Sequence, residues 1–153
     1  MRALKFIEHM RTNADRMSDR ALQAIRASEK CGDLLLKVPA EEQKRYGMEI
    51  YGDLTAWLED PGGANIEERY VSLGIRRAQQ GVTFKDLLWA VCIAHEQLWA
   101  DMEQECLLDE PVEFWGGVHL LRSLTQFFDR ALYYTSLGYE KARKDTLAAS
   151  PAA

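Results

Sequence analysis

A stripe of small or apolar side chains runs through the first 31 residues and restricts this part of the chain to a helix. The positions advance in alternating steps of four and three, which places all of them on one face of an α-helix. They are Ala3, Ile7, Met10, Ala14, Met17, Ala21, Ala24, Ser28 and Cys31. The spacing predicts a long first helix that ends at Gly32 and Asp33.

This stripe allows two interpretations. In the first, the helix lies on the core of its own chain, as amphipathic helices commonly do. In the second, the helix is offered to a second copy of the protein, because stripes of this spacing also form the seams between paired helices. The second interpretation predicts a dimer interface at Ile7, Met10, Ala14, Met17 and Ala21.

Proline and loop signals delimit the next helix. Pro39 suits the first turn of a helix, and the acidic residues behind it complement the helix dipole. The loop sequence DPGGAN, Asp60 to Asn65, predicts that this helix ends at Glu59. Asn65 is then the expected cap of a third helix.

The segment YVSLGIRRAQQGVTFKDLLWA, Tyr70 to Ala90, predicts a joint between two helices. Gly81 ends the third helix, and Thr83 with Asp86 forms a capping-box pattern that starts the next one. That next helix is apolar over much more than one narrow face, so we expect it in the middle of the fold. Its predicted inward stripe is Phe84, Leu88, Val91, His95, Leu98 and Met102.

A last helix is predicted from about Val112 to Lys144, with Val118 and Leu137 in its core set. Apart from short ambiguous runs such as DLLLKV, no stretch alternates with the period of a strand. At 153 residues, 47% of them hydrophobic, the chain is long enough to bury one core. We therefore predict one all-α domain of five or six helices over residues 1–146, with long first, central and last helices. Residues 147–153 are predicted to be a disordered tail. Periodicity leaves a helical bundle and a globin-like arrangement both open.

The charge pattern restricts the partners of the protein. Its formal net charge is -5, whereas a broad nucleic-acid surface needs a basic stripe that neutralises phosphates. The amino-terminal sequence MRALKFIEHMRTNADR lacks the apolar core of a signal peptide, and no stretch approaches the roughly 18 apolar residues of a membrane span. We expect a cytoplasmic protein that binds neither nucleic acid nor a membrane.

No motif for catalysis, phosphate binding or metal binding occurs in the sequence. The patterns GxSxG, GxxxxGK[ST] and HExxH are all missing. Cys31, Cys92 and Cys106 are isolated from one another, which favours reduced, mostly buried thiols over a zinc site or a disulfide framework. We therefore expect a protein that is not an enzyme and that carries no cofactor and no metal.

His95 is the residue on which an alternative function depends. It lies in the centre of an apolar helical stripe, where the single histidine ligand of a haem lies in a globin-like pocket. Trp99 and Phe128 would then be close to that pocket. A lone histidine on an apolar face more often packs in the core and donates one hydrogen bond. Haem, or another small ligand held between the two long helices, is the alternative.

Three arginines in the third helix allow an ordinary interpretation and a second one. Arg76 and Arg77 lie near the carboxyl end of that helix, where positive charge is favourable against the dipole. Arg69 and Arg76 share a helical face, so they could instead pair with acidic residues of the core or of a partner.

The passage YVSLGIRRAQQGVTFKDLLWAVCIAHEQLW, Tyr70 to Trp99, resembles the N-terminal domain of the RsbT co-antagonist proteins, the RsbRD N-terminal family. The shared pattern is a leucine-glycine before a basic helix end, a glycine stop and an acidic-leucine-leucine start of an apolar helix. In this chain it reads Leu73-Gly74, Arg76, Arg77, Gly81 and Asp86-Leu87-Leu88. The resemblance covers about residues 5–145.

This resemblance implies a sensory input module. The implied fold is globin-like, and the better-known members bind no haem, dimerise and pass signals to an attached output domain, for example in stressosome-type assemblies. The chain stops at Ala153, so we expect it to act by associating with a partner or by dimerising, or to be a piece of a longer protein.

The leading prediction is a non-enzymatic sensory or regulatory module. We expect it to be a homodimer, formed through the first helix and part of the last, whose input is a small ligand or a regulatory partner protein. The alternative is a haem- or small-ligand-binding globin-like protein that uses His95.

Overall fold

The computed structural model describes residues 2–104 and 111–149, with side chains described over 5–104 and 118–149. Within these residues the chain forms six α-helices and no strand. They are α1 (Arg2–Ala27), α2 (Gly32–Lys37), α3 (Ala40–Glu59), α4 (Ile66–Gln79), α5 (Phe84–Gln104) and α6 (Pro111–Ala149). A 3-10 turn, Glu29–Cys31, joins α1 to α2. The prediction of an all-α globin-like domain with long first, central and last helices is confirmed.

The first helix ends earlier than its stripe predicts. Ser28 has an extended backbone, with φ -83° and ψ 132°, and its side chain accepts a hydrogen bond from the backbone N–H of Lys30. This local bond competes with continuation of the helix. Gly32 consequently begins α2 instead of ending α1, and the ambiguous run DLLLKV is mostly helical.

The core consists of two neighbouring clusters of buried side chains. The larger one lies between α1, α3, α4 and α6, with contributions from the carboxyl half of α5. The smaller one joins the carboxyl end of α1 and α2 to the amino half of α5 and to Tyr139 of α6. Helix α6 thus contributes buried side chains to both clusters and connects them.

Two glycines bring α4 and α6 into backbone contact. A methyl group on Gly74 would overlap the carbonyl oxygen of Thr135 and lie 2.8 Å from the backbone nitrogen of Tyr139. A methyl group on Gly138 would overlap the carbonyl oxygen of Val71. Any side chain at either position would force the helices apart, so this crossing requires glycine on both sides.

The joint after α4 is formed as predicted at Gly81, but its cap differs. Gly81 has φ +75°, a left-handed conformation that glycine adopts without strain. The backbone N–H of Thr83 donates to the carboxylate of Asp33 at 2.6 Å, and the N–H of Asp33 donates to the carboxylate of Asp86 at 2.8 Å. The backbone N–H of Thr83, which a capping box would direct to Asp86, thus goes to Asp33, and the two bonds tie the start of α5 to α2.

The predicted cap at Asn65 is wrong. Its side chain makes no capping hydrogen bond to the α4 backbone; its Nδ2 donates instead to Oε2 of Glu68 at 2.8 Å. The boundary itself is close to the prediction, because α4 starts at Ile66.

Helix α5 lies at the side of the fold and not in its middle. Its buried residues are Asp86, Leu87, Ala90, Leu98, Asp101 and Met102, whereas four members of the predicted stripe, Phe84, Leu88, Val91 and His95, are only half-buried. The helix packs mainly on α1 and meets α6 along one flank, which leaves part of its wide apolar surface uncovered. None of the described helices is long and apolar enough to cross a membrane.

Candidate functional site

The predicted dimer stripe of α1 is occupied by the core of its own chain. Ile7, Met10, Met17 and Ala21 are buried, and Ala14 is half-buried against the same cluster. Helices α3, α5 and α6 pack against α1. A dimer formed through these five side chains would require α1 to leave the core.

The structure brings His95, Trp99 and Phe128 together. The imidazole of His95 stacks on the ring of Phe128 with centroids 4.3 Å apart and an interplanar angle of 13°. The indole Nε1 of Trp99 donates a hydrogen bond to Nε2 of His95 at 3.0 Å. The stack joins α5 to α6, and the hydrogen bond lies within α5 near the surface, where Trp99 is 36% exposed.

The hydrogen bond from Trp99 fixes which ring nitrogen carries the proton when His95 is neutral. Because Nε2 accepts a hydrogen bond, the proton of the neutral ring is on Nδ1. Burial lowers the pKa of His95, and the nearby carboxylates of Asp129 and Glu96 oppose that shift. Ligation of a haem iron by Nε2 would require Trp99 to release it.

An apolar cavity of about 100 Å³, partly open to solvent, lies between α1, α3 and α5. Phe128 of α6 closes one side, whereas His95 and Trp99 are not among its lining residues. Most of the wall is hydrocarbon. The lining side chains include Ala21, Leu22, Ile25, Ile50, Leu73, Leu87, Ala90, Val91 and Ala94, with polar groups at Ser18, Gln43, Tyr46, Tyr51 and Arg77.

Arg77 supplies the charge closest to this cavity and is neutralised beside it. It is 3% exposed, and its Nη1 donates to Oε1 of Glu42 at 2.8 Å and to Oε1 of Gln80 at 2.7 Å. Arg76 donates from Nε to the same oxygen of Glu42 at 3.1 Å. Hydrogen bonds from Arg76 and Arg77 lower the pKa of Glu42 to about 2, although burial acts against them.

The structure agrees with the second interpretation of Arg69 and Arg76, in which they pair with acidic residues. Arg69 forms an ion pair with Asp53, and Arg76 forms one with Glu42. Sequence reasoning missed Arg77 as the buried member of this group, because the helix dipole alone accounts for an arginine near a helix end. It also missed Glu42, which reads as an ordinary first-turn carboxylate.

Large apolar side chains are exposed mainly on the last two helices. Val118 and Leu137, both predicted to be core residues, are about two-fifths exposed. Of the seven strongly exposed large apolar residues in the described part of the chain, only Leu36 lies outside α5 and α6. We refer to the following set as the α5/α6 surface: Trp89, Trp99, Val118, Tyr133 and Leu137.

Metal-binding chemistry is sparse in the residues that the structure describes. Over residues 2–104 and 111–149 no three His, Cys, Asp or Glu side chains converge as a possible metal site. Cys31 is buried and burial raises the pKa of its thiol, Cys92 is half-buried, and Cys106 lies outside the described residues.

Comparison with known proteins identifies one family. A family model described as the RsbT co-antagonist protein rsbRD N-terminal domain matches residues 15–150. This match extends from α1 to α6 and includes the α4–α6 crossing at Gly74 and the joint at Gly81. Searches of curated proteins and of solved structures each return no match.

Proposed function

Because the chain belongs to the RsbT co-antagonist protein rsbRD N-terminal domain family, we propose that it is a non-enzymatic sensory module whose output is a change in self-association. The family is one of regulatory sensor domains related to the stressosome. The observation that carries the self-association is the α5/α6 surface.

Exposed apolar area of this kind needs a physical reason. Scattered apolar side chains are normal on a protein surface, but large aromatic ones gathered on two adjacent helices indicate an interaction site. Trp89 and Trp99 are each 36% exposed, and Tyr133 is 59% exposed. Since the stripe of α1 is already buried, these two helices provide the apolar area that a dimer would cover.

The charges around this surface favour a second copy of the chain as its occupant. Glu96 and Asp129 are exposed on α5 and α6, and so is Arg122 on α6. A two-fold interface places the same patch of both subunits against each other, so it requires both signs of charge within one patch. A patch of one sign would instead favour a partner of opposite charge.

Sedimentation velocity across the micromolar range tests this proposal. We expect a reversible dimer whose dissociation constant rises at least about tenfold when Trp99→Glu and Tyr133→Glu are combined. Leu36→Glu is the matched control, because Leu36 is 82% exposed but lies on α2. A wild-type protein that remains monomeric at every concentration would overturn the self-association. Binding of a purified regulatory partner through Trp99 and Tyr133 would then assign the surface to that partner.

The haem alternative predicts a different result. Protein expressed with added haem would show a Soret band that disappears in His95→Ala. Such a band would support the haem alternative, in which His95 gives up its hydrogen bond from Trp99 to bind iron.

A further inference from the structure

Small residues on three helices create the cavity between α1, α3 and α5. Ala21 of α1, Gly47 of α3, and Ala90 with Ala94 of α5 all line it. Helix α1 packs on both α3 and α5, whereas α3 and α5 make little direct contact with each other in the described part of the chain. Short side chains at facing positions leave volume unfilled in an otherwise close-packed interior. The fold therefore keeps about 100 Å³ of space, partly open to solvent, that no described side chain occupies.

The hydroxyl groups in the wall of this cavity are not available to an occupant. The hydroxyl oxygen of Ser18 is fully buried and packs against Gly47, where an added methyl group would lie 2.5 Å from it. The hydroxyl of Tyr51 donates to the carbonyl oxygen of Met17 at 3.3 Å. An occupant is thus held by contact with hydrocarbon and not by these two groups.

The charge at the wall is already balanced. Arg77 is 3% exposed, and its Nη1 donates to Oε1 of Glu42 at 2.8 Å and to Oε1 of Gln80 at 2.7 Å. A charged group inside the cavity would lose its hydration without meeting an unpaired counter-charge, which is far more costly than burial of hydrocarbon. The polar lining residues Gln43 and Tyr46, by contrast, are half-buried and reach solvent. The polar part of an occupant therefore belongs at the opening.

Water is a poor occupant of the apolar part of the cavity. A buried water molecule needs about two to four polar partners, and this part of the wall offers hydrocarbon instead. An alkyl group needs no such partner. It gains dispersion contacts with the wall, and its own apolar surface is removed from water.

We propose that the cavity binds an alkyl group, with four or five carbons of the chain in the apolar space and the polar end of the molecule in solvent at the opening. At about 100 Å³ the cavity is smaller than the roughly 150 Å³ cavity that holds benzene, which sets the number of carbons. Longer chains also fit, because the cavity is partly open. This inference rests on the proposed function for the meaning of binding as a sensory input, whereas binding itself is measured independently.

Titration of the full chain with 1-propanol, 1-butanol, 1-pentanol and 1-heptanol, followed by ¹H–¹⁵N spectra, tests the proposal. We expect saturable shifts at the amides of cavity residues, with a dissociation constant in roughly the millimolar range for 1-pentanol. Affinity should rise about fourfold with each methylene up to 1-pentanol, because each one is removed from water. It should level off at 1-heptanol, whose additional carbons remain in solvent. Absence of saturation would overturn the proposal, and so would an undiminished rise at 1-heptanol, which would indicate binding to an open surface.

A diol of the same length tests the apolar character of the site. In 1,5-pentanediol one hydroxyl stays at the opening, and the second would enter the cavity without a hydrogen-bond partner. We expect its affinity to be at least about tenfold lower than that of 1-pentanol. Equal affinities would contradict recognition of an alkyl group.

Variants on α5 test the location of the site. Ala94→Leu should abolish binding of 1-pentanol, because the larger side chain fills the cavity from its wall. Ala100→Leu is the matched control, since Ala100 is exposed on the same helix, and it should bind as the wild type does. If Ala94→Leu does not fold, Ala94→Val replaces it and should weaken binding at least about fivefold. Wild-type affinity in the filled variant would overturn the assignment.

The outcomes distinguish this inference from the proposed function. A protein that dimerises through Trp99 and Tyr133 but binds none of the alcohols would exclude the alkyl site alone. A protein that binds 1-pentanol beside Ala94 but remains monomeric would exclude self-association alone.

Discussion

The close crossing of α4 and α6 makes Gly74→Ala the most informative test of the fold. An added methyl group would overlap the carbonyl oxygen of Thr135 and lie 2.8 Å from the backbone nitrogen of Tyr139, whereas ordinary contacts begin at 3.4 Å. Both neighbours are backbone atoms, so they cannot rotate away as a side chain would. The two helices would have to separate by about 1 Å, which disturbs packing along their whole contact.

The expected cost follows from two opposing contributions. Overpacking of a tight core costs typically about 1–3 kcal/mol, and a clash with backbone belongs at the upper end of that range. Alanine is favoured over glycine inside a helix by about 1 kcal/mol, which offsets part of the loss. We therefore expect Gly74→Ala to reduce the free energy of unfolding by about 2 kcal/mol and the Tm by about 7 °C.

Gly52→Ala is the matched control, because it makes the same chemical change within α3. A methyl group at Gly52 would meet no atom within 4 Å. This variant should raise the free energy of unfolding by about 0.5–1 kcal/mol, since only the helix propensity changes. Urea denaturation monitored by circular dichroism and tryptophan fluorescence measures both variants. If Gly74→Ala were as stable as Gly52→Ala, α4 and α6 would not be in backbone contact, and the described packing would be refuted.

Three further predictions concern titratable groups. Glu42→Gln should reduce the free energy of unfolding by about 2 kcal/mol at neutral pH, because it leaves Arg77 buried without its counter-charge. The folded pKa of Glu42 is about 2, below its ordinary 4.5. In urea titrations the stability difference between wild type and variant should therefore be present above pH 4.5 and be lost as the pH falls through about 2. The pKa of His95, measured by NMR, should lie below its ordinary 6.5. The contribution of His95 to the free energy of unfolding should then be lost as the pH falls through the folded pKa. Trp99→Phe should raise the pKa of His95, because it removes the hydrogen bond that stabilises the neutral ring. Asp33→Ala should accelerate hydrogen exchange at the amide of Thr83, and unchanged exchange would show that Asp33 does not cap α5.

Helix boundaries are the part of the fold most accessible from the sequence. Gly81 is predictable as a stop because a glycine that follows a basic last turn is typical of a helix end, and the structure gives it φ +75°. The partner of the next helix start is not accessible in this way. Thr83 and Asp86 have the right spacing to cap each other, but Asp33 is brought beside them by the packing of α2, and no local pattern records that approach.

The candidate site is predictable in its members but not in its arrangement. His95, Trp99 and Phe128 are aromatic residues on apolar helical stripes, which is the basis for grouping them, and they do contact one another. The cavity lined by Phe128 gives no such signal, because its wall combines side chains from α1 to α6. Ser18 lies outside the small-residue stripe of α1, and only the folded structure reveals that its hydroxyl has no partner.

The apolar stripe of α1 could pack on the core of its own chain or on a second copy, and periodicity does not separate these two interpretations. They differ in which helix keeps apolar surface exposed. A helical stripe specifies that a face is buried, but a second element of the same chain and a second copy of the chain satisfy it equally well. The decision depends on competition among the helices for a limited core. Met10 and Met17 are completely or almost completely buried, whereas Trp89 and Trp99 on α5 remain 36% exposed. Helix α5 is apolar around a wider arc than α1 and α6 can cover, so its excess area faces outward. Self-association should therefore involve α5, the helix with the excess apolar area.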